Sequence, residues 1–324
     1  MEGEWTGYTP SHLDEGTALL AKSASSNNNQ PDTMAVPDRV PEMKLCPPHQ
    51  LTPMTSAEVE LNRTAATRFS LAGKNVIVTG AARGLGLAVA TGFLEHGCEK
   101  VALFDIDEVE GAQARDGLQN EFRRGPQEII FRKVDVTDQE SLNEVVSEVC
   151  EDFGGVHVLA TFAGTVNAVA AVDYTAEDFR SILDINTTGT FLTVQAVGRQ
   201  MIQRKTGGSI ILVASMAGHI VNYPQTHVAY GTSKAGVRHL MHCLAAEWAC
   251  HGIRVNSISP GYMNTRLNHG DDLVDAVPKW YERIPMGRFG EREEIVGPCL
   301  LLASPAGSFM TGTDIVVDGG YTLF

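Results

Sequence analysis

Positive charge is scarce in this sequence: 25 Lys and Arg stand against 39 Asp and Glu in 324 residues, a formal net charge of -14. A face that neutralises phosphates needs a surplus of cations, so nucleic acid is not an expected partner. Cysteine is sparse and scattered. Cys46, Cys98, Cys150, Cys243, Cys250 and Cys299 form no C-x-x-C pair and no metal-spaced cluster with histidine, so neither a disulfide framework nor a metal site is expected. Thiols in a reducing compartment are the simpler reading. The sequence has no run of 18 apolar residues, so no membrane helix is expected. The N-terminus lacks the basic start and apolar run of a signal peptide, and Glu2, Glu4, Asp14 and Glu15 oppose a mitochondrial presequence. These absences make the cytoplasm the expected location.

What is present is an ordinary globular composition, 43% hydrophobic and 20% charged, in a length that suits one large domain or a domain of about 250 residues with an extension. Residues 1–68 are rich in Ser, Asn, Pro and Thr, with the run Ser23-Ala24-Ser25-Ser26-Asn27-Asn28-Asn29-Gln30. Such a segment buries too little apolar surface to offset its ordering entropy, and it reads as a disordered extension. A short helix is expected within it around Ser56 to Arg68, started by Thr55-Ser56. From Leu71 the texture changes. Short β-branched runs alternate with longer amphipathic stretches, the pattern of βαβ units around a parallel sheet. Strands are expected at 75–79, 100–105, 128–134, 157–162, 208–214, 253–259 and 313–317. The runs SIILVAS and DIVVDG read as strands buried on both faces. Residues 69–324 therefore form a single α/β domain with no internal repeat.

The first strand runs into Gly80-Ala81-Ala82-Arg83-Gly84-Leu85-Gly86 and then an apolar helix. A glycine turn between strand and helix lets backbone N–H groups approach a pyrophosphate at the positive helix N-terminus. A tight turn with no ligand uses the same residues, so the glycines alone are weak. The second strand ends in Asp105, 19 residues beyond Gly86. A carboxylate there accepts both ribose hydroxyls of NAD and repels the 2'-phosphate of NADP; the alternative is a cap or turn residue. Arg83 pulls the other way, because a guanidinium in the phosphate loop can bind that 2'-phosphate. The carboxylate carries more weight, and NAD is favoured over NADP. Asp135, after the third strand, suits the adenine amino group, or else caps a turn.

Tyr230 and Lys234 open a long helix at i, i+4 spacing and so share a face. A phenol of pKa about 10 is a poor base at neutral pH, and a neighbouring ammonium favours its ionised form. In isolation the pair is equally a solvated one. Ser215 follows the buried run Ile210–Val213 at the carboxyl end of its strand, where ligands of doubly wound sheets sit; a turn serine is the plainer alternative. Asn186 lies within a helix, where a buried amide is unfavourable unless paired or functional. It is placed to steady a water behind the lysine.

With glycine loop, acidic strand end, Asn186, Ser215 and Tyr230-x-x-x-Lys234 in this order, residues 71–324 resemble the short-chain dehydrogenase/reductase family. The resemblance implies a Rossmann-type, doubly wound parallel sheet of seven strands with helices on both faces. It also implies a nicotinamide cofactor bound by Thr79 to Gly86, with Gly80, Arg83, Gly84 and Leu85 among its contacts. Ser215 is then the substrate-holding hydroxyl, Tyr230 the acid/base and Lys234 the contact to the nicotinamide ribose, with Asn186 completing a proton relay. Pro260-Gly261-Tyr262-Met263-Asn264-Thr265 looks like the family's Pro-Gly turn, whose threonine contacts the carboxamide. Two departures stand out. Thr161-Phe162-Ala163-Gly164 replaces the usual Asn-Asn-Ala-Gly, which implies altered packing beside the cofactor, and the Ser215 to Tyr230 interval of 15 residues is slightly long.

The stretches SMAGHIVNYPQ and YGTSKAGVRHLMHCLAAEWACHGIRVNSISPGY look similar to fungal mannitol, arabinitol and sorbose dehydrogenases. The implied activity is hydride transfer between a nicotinamide and a secondary alcohol or ketone, with a sugar alcohol as one candidate. Homodimers or homotetramers are the assemblies the resemblance implies. The alternatives are a ketoreductase on a secondary-metabolite intermediate, a lyase, epimerase or dehydratase on the same fold, and a silent nucleotide-binding sensor. The loop from Arg266 to Arg283 is expected to cover the substrate.

Overall fold

The β-branched runs settle into seven strands: β1 Asn75–Thr79, β2 Lys100–Asp105, β3 Glu128–Lys133, β4 Val158–Thr161, β5 Gly208–Val213, β6 Ile253–Pro260 and β7 Asp314–Val317. The computed structural model describes residues 42–45, 64–268 and 273–324. All strand pairs are parallel, in the order β3-β2-β1-β4-β5-β6-β7. The chain thus winds outward from β1 to β3, returns to the middle at β4, and winds outward again. A crevice opens at the carboxyl ends of β1 and β4, where the order reverses.

Side-chain alternation along β1 shows why both faces need cover. Val76 and Val78 pack with Val89 and Phe93 of α1 (Gly84–Glu95) and with Cys299 and Leu302 of α8 (Val296–Ala303). Ile77 points to the opposite face. There it meets Val146 and Val149 of α3 (Gln139–Phe153), Val194 and Val197 of α5 (Gly189–Arg204), and Val237 and Met241 of α6 (Val228–Trp248). Full burial of each such side chain contributes about 1.5–3 kcal/mol.

Helix starts follow the same local logic. Asp107 caps α2 (Glu108–Glu121), Asp138 caps α3, and Thr175 caps α4 (Ala176–Leu183), each accepting a backbone N–H of the first turn. Helix α1 has no such cap, and its first turn faces the crevice. A third cluster, beyond the sheet, joins Met216, Tyr262, Trp280, Ile284, Phe289 and Tyr321. Here Tyr262 stacks on Trp280 of α7 (Val277–Arg283), with ring centroids 4.2 Å apart, and the segment after β6 is thereby folded down beside the crevice.

Three sequence expectations need comment. The run DIVVDG forms β7 at the sheet edge and is not buried on both faces: Val316 is 38% exposed. Of the helix expected at 56–68, the structure shows a single turn, Ala65–Arg68, capped by Thr64; the Thr55-Ser56 start lies outside the described residues. The disorder expected for 1–68 lies outside them as well, apart from 42–45, which are exposed and without regular structure, and 64–68. Among the described residues no helix is long and apolar enough to cross a membrane.

Candidate active site

The β1–α1 turn is shaped by its glycines. Gly84 has φ +61° and open space where a Cβ would stand, whereas a Cβ on Gly86 would overlap the Gly80 carbonyl oxygen. The first position therefore leaves room for a ligand and the second lets the helix close on the strand. Thr79 helps to brace the neighbouring strand end by accepting the Ala163 N–H at 3.2 Å. Uncapped N–H groups, a positive helix end and an open approach together form an anion cradle. A dinucleotide fits it. At Thr161-Phe162 the Thr161 hydroxyl is buried without a partner among the described residues, and Phe162 packs against the core beside Gly86.

Asp105 is committed in a way its position in the sequence does not reveal. Its two carboxylate oxygens accept the N–H groups of Ala82 and Asp107, each at 3.0 Å. It thus anchors the glycine turn to the start of α2. Arg83, at the head of α1, is half-exposed and pairs with Glu110 and, at 3.3 Å, with Asp107. Glu110 also receives Arg266 at 2.8 Å. Asp135 lines the crevice while accepting the Thr137 N–H and hydroxyl at 2.9 and 2.7 Å, so the turn role is realised.

At the carboxyl end of β5 the reacting groups converge. Ser215 is buried, and its oxygen accepts the Ala217 N–H at 3.1 Å, which fixes the turn Met216–Gly218. Its hydroxyl also bonds the Tyr230 phenol. Burial pushes that phenol's pKa up, and the Ser215 hydrogen bond opposes the rise. The lowering expected from Lys234 is not among the causes of this shift. Lys234 lies 5.7 Å from the Tyr230 ring centroid and donates to the Val213 carbonyl at 2.9 Å. Burial brings its pKa down to about 8.

Asn186 is fully buried in a π-helical turn, Asp184–Thr188, between α4 and α5. Its amide is wholly used: Oδ1 accepts the Thr165 N–H, and Nδ2 donates to the Thr165 carbonyl and the Ser233 hydroxyl, at 2.8, 2.8 and 3.0 Å. It ties the segment after β4 to α6. Both Asn186 and Lys234 crowd Gly164, whose absent Cβ would stand 3.1 Å from Asn186 Oδ1 and 3.6 Å from Lys234 Nζ.

One cleft of about 2040 Å³ joins Gly80, Arg83, Gly84, Leu85, Gly86, Asp105, Asp135, Ala163 and Gly164 to Ser215, Tyr230 and Lys234. Pro260, Gly261, Met263 and Thr265 lie along its floor. Of the site residues read from the sequence, only Asn186 stands behind the lining. Sequence reasoning missed Asn222, Gln225, His227 and Tyr262, which wall the substrate end. Asn222, Gln225 and Tyr262 lie within the stretches that carry the family resemblance, and His227 in the long Ser215–Tyr230 interval, but neither signal assigned them a role. Leu273 and Ala276 line the cleft, so the described part of 266–283 does approach it.

The family model described as enoyl-(acyl carrier protein) reductase matches residues 80–322. A solved short-chain type dehydrogenase/reductase from Mycobacterium marinum is 41% identical, with a TM-score of 0.75 over 79% of this chain and 98% of its own. This chain belongs to the short-chain dehydrogenase/reductase family. It is an oxidoreductase acting on small molecules, moving hydride between a nicotinamide and a secondary alcohol or ketone. Among curated relatives, an NADP-dependent mannitol dehydrogenase of Hypocrea jecorina is 39% identical over 78% of this chain and 94% of its own. A ribulose-forming D-arabinitol 2-dehydrogenase of Candida tropicalis is 40% identical over the same shares. The NAD preference read from Asp105 is overturned by the NADP dependence of the mannitol relative. The physical reason lies in the turn: both Asp105 oxygens serve backbone N–H groups, so the acceptors that the NAD reading gave to the ribose are already engaged, and Arg83 lines the same cleft.

Proposed function

We propose that this short-chain dehydrogenase is an NADP(H)-dependent sugar-alcohol dehydrogenase that interconverts a secondary carbinol and its ketone. The observation that carries the reading is the convergence of Ser215, Tyr230 and Lys234 at the end of β5, in one cleft with the glycine cradle. The polyol class is supported by the mannitol and arabinitol relatives and by the amide- and imidazole-rich wall at the substrate end.

When bound, the dinucleotide supplies the hydride acceptor or donor. The N–H groups of Gly84 and Leu85 would hold its diphosphate, Arg83 its 2'-phosphate and Thr265 its carboxamide, with Asp135 at the adenine end. The Ser215 hydroxyl holds the substrate oxygen. Tyr230 gives its proton to that oxygen in reduction and takes it in oxidation, while the Lys234 charge offsets the cost of a phenolate. Since burial keeps the Tyr230 phenol protonated in the free protein, reduction finds its proton donor ready and oxidation gains as pH rises. Asn186 acts by positioning, holding the segment after β4 against α6 behind the lysine.

Tyr230→Phe tests the reading. NADPH consumption with fructose, or NADPH formation with mannitol, should fall below about one hundredth of wild type, while NADPH fluorescence titration shows retained binding. Retained turnover would remove Tyr230 from the chemistry. We further infer a homodimer or homotetramer, which light scattering of the purified protein tests, and a cytoplasmic location, supported by the five free cysteines among the described residues and tested by cell fractionation.

A further inference from the structure

A carboxylate lies behind the reacting groups, outside the cleft. The side chain of Asp314, the first residue of β7, is only 8% exposed. An ionised carboxylate can only accept, and taking one out of water is costly unless its oxygens are served. The Ser257 hydroxyl of β6 donates to Oδ1 at 2.5 Å, and that of Ser259 lies 3.0 and 2.9 Å from the two oxygens. These bonds fix the carboxylate to the sheet. Oδ2 also accepts Nε2 of His219 at 2.7 Å and stands 3.6 Å from Nε of Arg238, a buried nitrogen with no hydrogen bond among the described residues.

Both of these partners lead to the turn that carries Ser215. His219 directly follows the turn Met216–Gly218 and closes it with its N–H on the Met216 carbonyl at 2.9 Å. Arg238 lies one helical turn beyond Lys234 in α6 and donates Nη1 to the Gly218 carbonyl at 2.9 Å. Gly218 permits this close approach, since a Cβ there would stand 2.9 Å from the Lys234 carbonyl carbon and from the Ala235 nitrogen. The turn is thus pressed on the backbone of the helix that presents Tyr230 and Lys234. His219, Arg238 and Asp314 do not line the cleft.

The turn's own bonds, from the Ala217 N–H to Ser215 Oγ and from the Gly218 N–H to the Ser215 carbonyl, set its shape. They do not set its place relative to Tyr230. Place matters, because misplacing a reacting or holding group by about 1 Å costs about a hundredfold in rate. We propose that Asp314, through His219 and Arg238, clamps the Ser215 turn against α6, and that these three are positioning residues for hydride transfer. The clamp rests on the role of Ser215 given above and adds what holds that hydroxyl in register with the Tyr230 phenol.

The experiment is a double-mutant cycle in the full chain, with His219→Leu and Arg238→Met each made in wild type and in Ser215→Ala. NADPH formation is followed with whichever of D-mannitol, D-arabinitol and cyclohexanol the wild type oxidises fastest. NADPH fluorescence titration identifies variants that remain folded, and either folded variant suffices. In wild type each substitution should lower kcat by about tenfold to a hundredfold and leave KM for the alcohol within about threefold. In Ser215→Ala the same substitutions should change the remaining kcat by less than about twofold, because the clamp acts through the missing hydroxyl. His219→Gln, whose amide N–H can replace the imidazole donor, should restore kcat to within about threefold of wild type. A folded His219→Leu or Arg238→Met with wild-type kcat, or a loss that multiplies with that of Ser215→Ala, overturns the clamp and leaves the role of Ser215 standing. Wild-type turnover in Ser215→Ala, or a wild type that oxidises none of these alcohols, removes the reading of Ser215 and the clamp with it.

Discussion

Lys234 is a largely buried cation at the bottom of an open cleft, and the cost of burial shows in its pKa of about 8, against about 10.4 in an unfolded chain. Between those values the unfolded state holds a proton that the folded state has released, so stability rises with pH in that window and is flat below it. Replacing Lys234 with methionine removes the titration. The stability of wild type relative to Lys234→Met should therefore climb between pH 8 and 10, by up to about 3 kcal/mol; urea unfolding of both proteins at pH 7, 8.5 and 10 measures it, and parallel curves would contradict it. Residues also differ in how far they could be read in advance. Tyr230 and Lys234 were legible because a helix fixes which side chains share a face. The commitment of Asp105 was not, because its partners are the N–H groups of Ala82 and Asp107, and every residue but proline offers the same donor. For the same reason Asn186 was recognisable as a buried amide needing partners, while Thr165 and Ser233, the partners themselves, were not.

The π-helical turn at Asp184–Thr188 is an element whose shape answers to one side chain. Asn186 ties the segment after β4 to α6, and α4 and α5 abut on either side. Asn186→Leu leaves the Thr165 N–H and carbonyl and the Ser233 hydroxyl to seek other partners. It should destabilise the protein by about 2–4 kcal/mol, read as a lower urea midpoint at unchanged slope; a midpoint within error of wild type would show that water satisfies these groups. Strands were the most legible elements, each placed to within a residue at either end, since β-branched runs bounded by glycine and polar residues have few other uses. Edge position was not legible. The run in β7 is as apolar as its neighbours, and only the order of the sheet leaves Val316 on the rim.

At the scale of the molecule, every side chain of the three core clusters comes from Leu71 or later. We propose that residues 69–324 constitute the dehydrogenase domain, and deletion of residues 1–63, which keeps the Thr64 cap, should leave melting temperature and kcat as they are. A fall of more than about 4 °C would mean that the removed segment contributes a kilocalorie or more. The α/β class and the parallel sheet were legible from alternating textures, because each βαβ unit repeats the same local pattern. The substrate end was not, since it depends on where distant loops come to rest. That contrast has a consequence. The cradle for the dinucleotide is made of strand ends whose backbones are fixed by their neighbours in the sheet. The wall around Asn222 and the aromatic cover around Trp280 hang from connections that pair with no strand. Over evolutionary time the second set can drift while the first stays put, so descendants of one ancestor can exchange appetites without relearning the hydride step.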